Sequence, residues 1–353
     1  MQQTKTDSLN DAFEAILKSI AGRAQDGDVN GIWPAQDIAE LASIGATRWA
    51  IDAPYGDDVN ALELHDRYKR IASASLATAL VLSQRDAAVG FIEASDNQAL
   101  RENLLSQLAR NERWTTIGIS HLTTSTQSGE LIAEVQDDGS LQLNGTIPWA
   151  TGASHADFVV AASRTSDGRQ ILFALPTDAP GVIVEAPLRL ATLSAAHTSS
   201  ILCKDVRIGA DRVLRAPTSS ALAGRKRGLP VGQAFAALGL STAAIRLIEA
   251  LDHESARQTA DALVKQLEEL DHSVRRTNEN PDTHDLQSGP LVRSACNSLA
   301  MRSTHAAVTL YKGTGLRRDH PAQRLAREAL FLLVWSSPSS VVDRNLELMS
   351  DHA

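Results

Sequence analysis

Apolar residues recur every third or fourth position from the N-terminus to Arg113, alternate with polar ones over the next stretch, and return to the longer period for the remainder of the chain. Phe13, Ile16, Leu17 and Ile20 share one face, and Ser8 and Asp11 are placed to cap it, which predicts a helix over residues 8–22. Pro34, a residue favoured at the first helical position, opens a second helix that carries Ile38, Leu41 and Ala42 and stops at Gly45. Residues 51–56 read as an extended turn. Leu64, Tyr68, Ile71 and Ser75 mark the inner stripe of one long Ala-rich helix to about residue 84, and Leu100, Leu104 and Leu108 mark a shorter one.

At Trp114 the pattern changes to β-branched alternation with closely spaced turn signals. Asp138-Gly139 separates 131–135 from 141–143, and Asp167-Gly168 separates 158–163 from 170–175, which predicts two hairpins. Short strands follow at 182–185, 200–204 and 205–208. Beyond Pro217 the helical period returns: Ala236, Leu240, Ala244, Leu247 and Leu251 line one helix, and Leu263, Leu267, Leu270 and Val274 another. A polar loop at 277–288 precedes a third helix to about 310, and a fourth covers 322–335. The expected fold class is α+β, with an N-terminal all-helical domain (1–113), a middle β domain (114–215) and a C-terminal helical bundle (216–353).

Composition narrows the partners more than the fold. A net charge of -8 argues for solubility and against nucleic acid or an anionic membrane as the main partner. The basic clusters Arg225-Lys226-Arg227 and Arg317-Arg318 could meet a phosphate, but read first as solvated surface. Two distant cysteines, Cys203 and Cys296, give neither a disulfide framework nor metal-ligand spacing, so a reducing cytoplasm is expected. The polar start lacks the apolar core of a signal peptide, and no apolar run approaches the roughly 20 residues that span a bilayer. Neither export nor a membrane span is expected.

The candidate chemistry lies in residues 144–157, N-G-T-I-P-W-A-T-G-A-S-H-A-D. On a strand, positions i and i+2 share a face, so Trp149 and Thr151 would present an indole and a hydroxyl side by side. That pair suits a flat heterocycle, with the indole over the ring and the hydroxyl at its edge. The alternative is a core Trp beside a surface Thr at a strand end.

Several stretches in order resemble the acyl-CoA dehydrogenase superfamily of flavoproteins. They are Leu41-Ala42-Ser43-Ile44-Gly45 with Ala53-Pro54-Tyr55-Gly56; Asn144-Gly145-Thr146-Ile147-Pro148-Trp149-Ala150-Thr151, similar to N-G-x-K-x-W-I-T with Ile147 in place of the lysine; the strand pair in 198–208; and Leu238-Gly239-Leu240-Ser241. Near the C-terminus, Lys312-Gly313-Thr314-Gly315, His320-Pro321 and Arg327-Glu328-Ala329 resemble the G-G-x-G, Y-P and R-D-A run. The resemblance implies a β-barrel as the middle domain, a four-helix bundle as the last, and bound FAD. It places Trp149 beside the flavin and the Thr151 hydroxyl at its N5 edge. Gly313 and Gly315 match glycines that admit the dinucleotide of a neighbouring subunit, where the absence of a Cβ allows close approach. An oligomer, a homodimer or homotetramer, is implied as well.

The departures concern catalysis. The family's glutamate takes the substrate's α-proton; alignment on Arg327-Glu328-Ala329 puts Trp335 at the preceding Tyr and Ser336 at the base. A hydroxyl is no base without activation. The other position used by relatives holds Leu229 and Pro230, the pyrophosphate motif R-x-x-F-G has no counterpart in 254–262, and the T-E-x-x-x-G-S-D loop is blurred into 123–129. Three readings follow. The first is an FAD-dependent oxidoreductase acting on an acyl-CoA or acyl-thioester, with Glu328 or His320 as unconventional base, although a structural salt bridge and a helix cap also suit those residues. The second is a two-component monooxygenase of the same fold, suggested by Thr151-Gly152-Ala153, Ala156-Asp157 and His320-Pro321. It would take reduced flavin, FMN or FAD, from a flavin reductase, and Ser120, His121 and His155 are the candidates for contact with the reacting oxygen, although ordinary surface or strand-end places also suit them. The third is a non-catalytic homologue that serves as a binding protein.

Overall fold

In a computed structural model of the chain, the described residues are 2–123, 130–224, 232–279 and 288–350. Five helices open it: α1 (Gln2–Asn30), α2 (Ala35–Ser43), α3 (Ala61–Ala74), α4 (Leu76–Glu93) and α5 (Gln98–Ala109). α1 runs well past the expected end at residue 22. A glycine inside a helix costs only about 1 kcal/mol, and here the second half is held by Arg23, whose guanidinium binds Asp37 and Glu40 of α2. The helix ends where Gly31 takes a left-handed φ of 62°. The single long helix expected over residues 64–84 is two. Ser75 is extended, with φ -152° and ψ 114°, and its hydroxyl accepts from the Thr78 amide at 3.2 Å, so it caps α4 instead of continuing α3.

The middle of the chain forms one eight-stranded sheet. Its elements are β1 (Thr115–Gly118), a short helix α6 (Ser120–Thr123), β2 (Ile132–Val135), β3 (Leu141–Thr151), β4 (Phe158–Thr165), β5 (Gln170–Pro176), β6 (Val182–Val184), β7 (Thr198–Ile208) and β8 (Val213–Thr218). The hydrogen-bonded order is β6-β7-β3-β2-β4-β5-β8, and β1 pairs in parallel with β4. Both Asp-Gly signals mark hairpins, with Val135 opposite Leu141 and Arg164 opposite Gln170. The two short strands expected at 200–204 and 205–208 are one kinked strand, β7. Asp205 takes φ 51°, and the Asn144 side chain accepts from its amide at 2.9 Å, so pairing with β3 resumes across the kink.

β4 shows why the sheet is buried on both sides. Phe158, Val160 and Ala162 join an apolar cluster with α4 and α5, while Val159 and Ala161 join one formed with β3 and β7.

The C-terminal helices are α7 (Ala234–Glu249), α8 (Glu254–Glu279), α9 (Ser288–Tyr311), α10 (Pro321–Leu332) and α11 (Ser339–Ser350). α10 stops before the expected residue 335, and α11 has no counterpart in the sequence expectation. Within the polar stretch 277–288, residues 280–287 lie outside the described residues. α7 crosses α3 so closely that a Cβ on Gly239 would stand 2.5 Å from the Lys69 carbonyl. Through that crossing the first and last helices share one core, which includes Leu17, Ile71, Leu76, Leu240 and Leu325. Among the described residues no helix is long and apolar enough to cross a membrane.

Candidate functional site

The end of β3 carries the opening candidates. Pairing with β7 slips between Ile147, opposite Ile201, and Ala150, opposite Ser199. Pro148 has no N–H to give the ladder, and the bulge accommodates it. Ala150 then points into the core and is fully buried, while Trp149, on the other face, stays 43% exposed. Thr151 shares that face and is half-buried. Its Oγ1 lies 3.2 Å from Thr198 Oγ1, and its carbonyl accepts from the Thr116 hydroxyl at 2.7 Å. The strand end is therefore held from both neighbours, with an indole and a lightly engaged hydroxyl left facing outward.

The turn after Thr151 is fixed by the N-terminal helices. Gly152 has φ 67°, and a Cβ there would stand 2.6 Å from the Trp33 indole, so conformation and space both call for glycine. Trp33 stacks on His155 with ring centroids 4.0 Å apart and planes 11° apart. His155 Nε2 lies 2.9 Å from His197 Nδ1, and His197 Nε2 lies 2.8 Å from the Gly31 carbonyl. A carbonyl only accepts, so His197 donates from Nε2 to Gly31; the direction of the His155–His197 bond follows the tautomers of the two rings. Burial, then the neighbouring His197, holds the pKa of His155 below the ordinary histidine value. Trp33 and His197 are not among the candidates the sequence offers; the adjacency of Trp33 to Pro34 and of His197 to β7 is the only local signal that could mark them.

The other candidates do not converge on this face. Gly313 and Gly315 lie in the 3-10 turn Lys312–Leu316. No atom stands within 4 Å of a Cβ built on Gly313, so its backbone is open to approach, whereas one on Gly315 would meet Tyr311 Cβ at 2.9 Å. Packing within the chain already requires glycine at 315. His320 accepts from the Ala322 amide at 3.2 Å and caps α10, with its ring beside Tyr311 at 4.4 Å. Glu328 is buried in an ion pair with Arg324 at 3.0 Å. Burial pushes its carboxyl up, and Arg324 opposes that. Ser336 is exposed, with φ 45°, and its carbonyl accepts from Arg293 at 2.8 Å. Arg293 also donates to the Trp335 carbonyl, and burial lowers its pKa to about 10. His121 is buried and donates from Nε2 to the Ala162 carbonyl at 2.8 Å, and burial lowers its pKa. It sits beside β3 and β4 with Ser120, away from the Trp33–His155–His197 chain. Leu229, Pro230, residues 124–129 and the cluster Arg225-Lys226-Arg227 lie outside the described residues. Among the described residues no group of His, Cys, Asp and Glu could hold a metal ion.

No family model matches the chain. It is 23% identical over 354 residues to a probable acyl-CoA dehydrogenase of Bacillus subtilis, covering 92% of each chain. It is 27% identical over 201 residues to the dibenzothiophene monooxygenase of Rhodococcus qingshengii, covering 53% of this chain and 48% of that one. Among solved structures, the butyryl-CoA dehydrogenase of Megasphaera elsdenii shares its fold with a TM-score of 0.82 at 20% identity, over 98% of both chains.

Proposed function

We propose, proceeding from the fact that the chain belongs to the acyl-CoA dehydrogenase-like superfamily, that it is a flavin-dependent oxidoreductase whose cofactor ring lies against Trp149 and Thr151. One observation carries the reading: an indole left 43% exposed at a strand end, beside a half-buried hydroxyl that has a single neighbour at 3.2 Å. Trp is highly buried on average and is enriched where a partner covers it. The residues present fit a flavin. Trp149 would cover one face of the ring, the Thr151 hydroxyl would meet its edge, and the open backbone at Gly313 would admit the dinucleotide of a neighbouring copy in a homodimer or homotetramer. The flavin, FAD or FMN, supplies the capacity to take or give electrons. The chain's residues position it and screen it from water.

The turn after α10 favours a second, narrower reading. Dehydrogenation of an acyl-thioester, as from an acyl-CoA, needs a base for the α-proton. At the matching position Ser336 is exposed and its backbone is locked by Arg293, while Glu328 is buried with one oxygen paired to Arg324 and His320 caps a helix. Oxygen-using chemistry with reduced flavin from a reductase needs no such base, so a small-molecule monooxygenase suits the site better than an acyl-CoA dehydrogenase.

Anaerobic mixing of the flavin-loaded chain with a panel of acyl-CoAs separates the two. Bleaching of the flavin supports dehydrogenation and ends the oxygenase reading. No bleaching, with coupled oxygen uptake when a reductase and an organosulfur or amine substrate panel are added, supports oxygenation. A chain that takes up neither FAD nor FMN ends both.

A further inference from the structure

We propose that the cavity between α1, α2, α4 and α10 is a binding site for a small primary ammonium ligand, anchored on the free carboxylate oxygen of Glu328. The cavity has a volume of about 190 Å³ and is bounded by Arg23, Asp28, Trp33, Asp37, Thr78 and Glu328, among others. At about 30 Å³ for each water in the liquid, it has room for a short alkylammonium. It shares neither Trp149 nor Thr151 with the flavin face, although Trp33 is common to its wall and to the support of Gly152.

The polar floor is almost fully partnered, and what is left over defines the ligand. Asp28 binds Arg327 through both oxygens. Asp37 accepts from Arg23 at 2.8 Å on one oxygen and from the Thr78 hydroxyl at 2.7 Å on the other. Arg23 is spent on Asp37, Glu40 and Ser19. Glu328 is 2% exposed and gives Oε1 to Arg324, but its Oε2 is buried without a partner. A buried carboxylate oxygen left unpaired is costly, and a donor that enters the cavity removes that cost. A cation does so best, because a charge-assisted bond is about twice as strong as a neutral one. Four carboxylates, Asp26, Asp28, Asp37 and Glu328, line the cavity, and the guanidiniums of Arg327, Arg23 and Arg324 already pair with Asp28, Asp37 and Glu328, so among the described residues no cation is left over to hold an anion there.

The cavity is also graded from mouth to floor. Asp26, Ile32 and Gln36 are exposed, whereas Asp28, Asp37, Thr78 and Glu328 are buried. A ligand would enter between the end of α1 and the start of α2, past the Asp26 carboxylate. The remaining wall, Ala24, Ile32, Pro34, Ala77, Leu193 and Ala195, is apolar and suits a short alkyl body.

Calorimetric titration of the full chain, with and without flavin, uses butylammonium, butyrate and 1-butanol as probes of one length and three charges. The expected result is saturable binding of butylammonium, with the other two at least roughly tenfold weaker, the difference that one charged hydrogen bond makes. E328Q is expected to lose at least about tenfold in butylammonium affinity for the same reason. If that variant fails to fold because Arg324 loses its partner, A77L serves instead: it fills the cavity, keeps Glu328 and should abolish binding. No saturable butylammonium binding, equal binding of the three probes, or unchanged binding by a folded E328Q or A77L would overturn the site. Flavin quenching recorded on the same samples reports the flavin reading separately.

Discussion

The end of β3 and the turn after α10 are the two places where the family resemblance expects contact with the reaction, and they have diverged differently. At β3 a bulge at Pro148 turns Trp149 outward, Thr151 stays beside it, and Gly152 lies on Trp33. At the other end a left-handed Ser336 stands where the resemblance expects a carboxylate, and the guanidinium of Arg293 holds the carbonyls of Trp335 and Ser336. A contact surface is built from strand register and one large side chain, so it withstands change in its surroundings. A general base depends on one residue, and here the backbone around its position has been recruited to close a helix end.

The comparison predicts that stability and cofactor binding separate. The largest effect should come from Arg293→Ala, which takes a charged donor from the Ser336 and Trp335 carbonyls and should cost about 3 kcal/mol in denaturant unfolding, at roughly 1.5 kcal/mol for each charge-assisted hydrogen bond. Flavin affinity of the folded fraction should stay within about twofold of the wild type, since one RT ln 2 is the scale of uncertainty in such a titration. A large loss of affinity would join the two regions and break the contrast.

Acid should weaken the same helical side. His65 of α3 packs edge-on to Phe235, which in turn meets Trp335 at 6.1 Å. Burial, with the Lys69 ammonium adding to it, pushes its pKa down to about 4 from 6.5. The folded value is depressed, so the contribution to stability is fully present above pH 6.5 and is lost as pH falls towards 4. The loss is on the order of 3 kcal/mol at 1.36 kcal/mol for each pH unit. His65→Phe should flatten that part of the stability–pH curve; an unchanged slope would place the acid sensitivity elsewhere.

On the β3 side the effects are smaller and fall on binding. Thr151→Val should weaken flavin binding by about fivefold, near 1 kcal/mol for one hydrogen bond, and leave the melting temperature close to the wild type. Ser336→Glu should be nearly silent, within about 0.5 kcal/mol as for an exposed substitution, and should not bring acyl-CoA bleaching with it. Bleaching by that variant would show that the turn after α10 still faces the substrate.

Much of this was legible in the sequence wherever a local rule dominates. The two Asp-Gly hairpins, the stop at Gly45 and the Pro148-Trp149-Ala150-Thr151 strand end each follow from turn chemistry or alternation. What was missed depends on partners distant in the chain. α1 outruns its apolar stripe because Arg23 is tied to α2, Ser75 breaks a helix because its hydroxyl caps the next one, and β7 stays whole because Asn144 bridges the kink at Asp205. The site divides in the same way. Trp149 and Thr151 could be picked out by spacing, but the Trp33–His155–His197 stack joins three segments, and the commitment of Glu328 and His320 to other bonds appears only in three dimensions.

Whether a flavin ring rests on Trp149 is decided by titrating wild type and Trp149→Ala with FAD and FMN and following the quenching of flavin fluorescence. Saturable quenching by the wild type with at least one flavin is expected. So is an affinity at least about tenfold lower in the variant, from the loss of a stacked aromatic worth roughly 1–2 kcal/mol, at an unchanged melting temperature. Equal affinity in the two proteins, or no quenching of either flavin by the wild type, would contradict a flavin on Trp149.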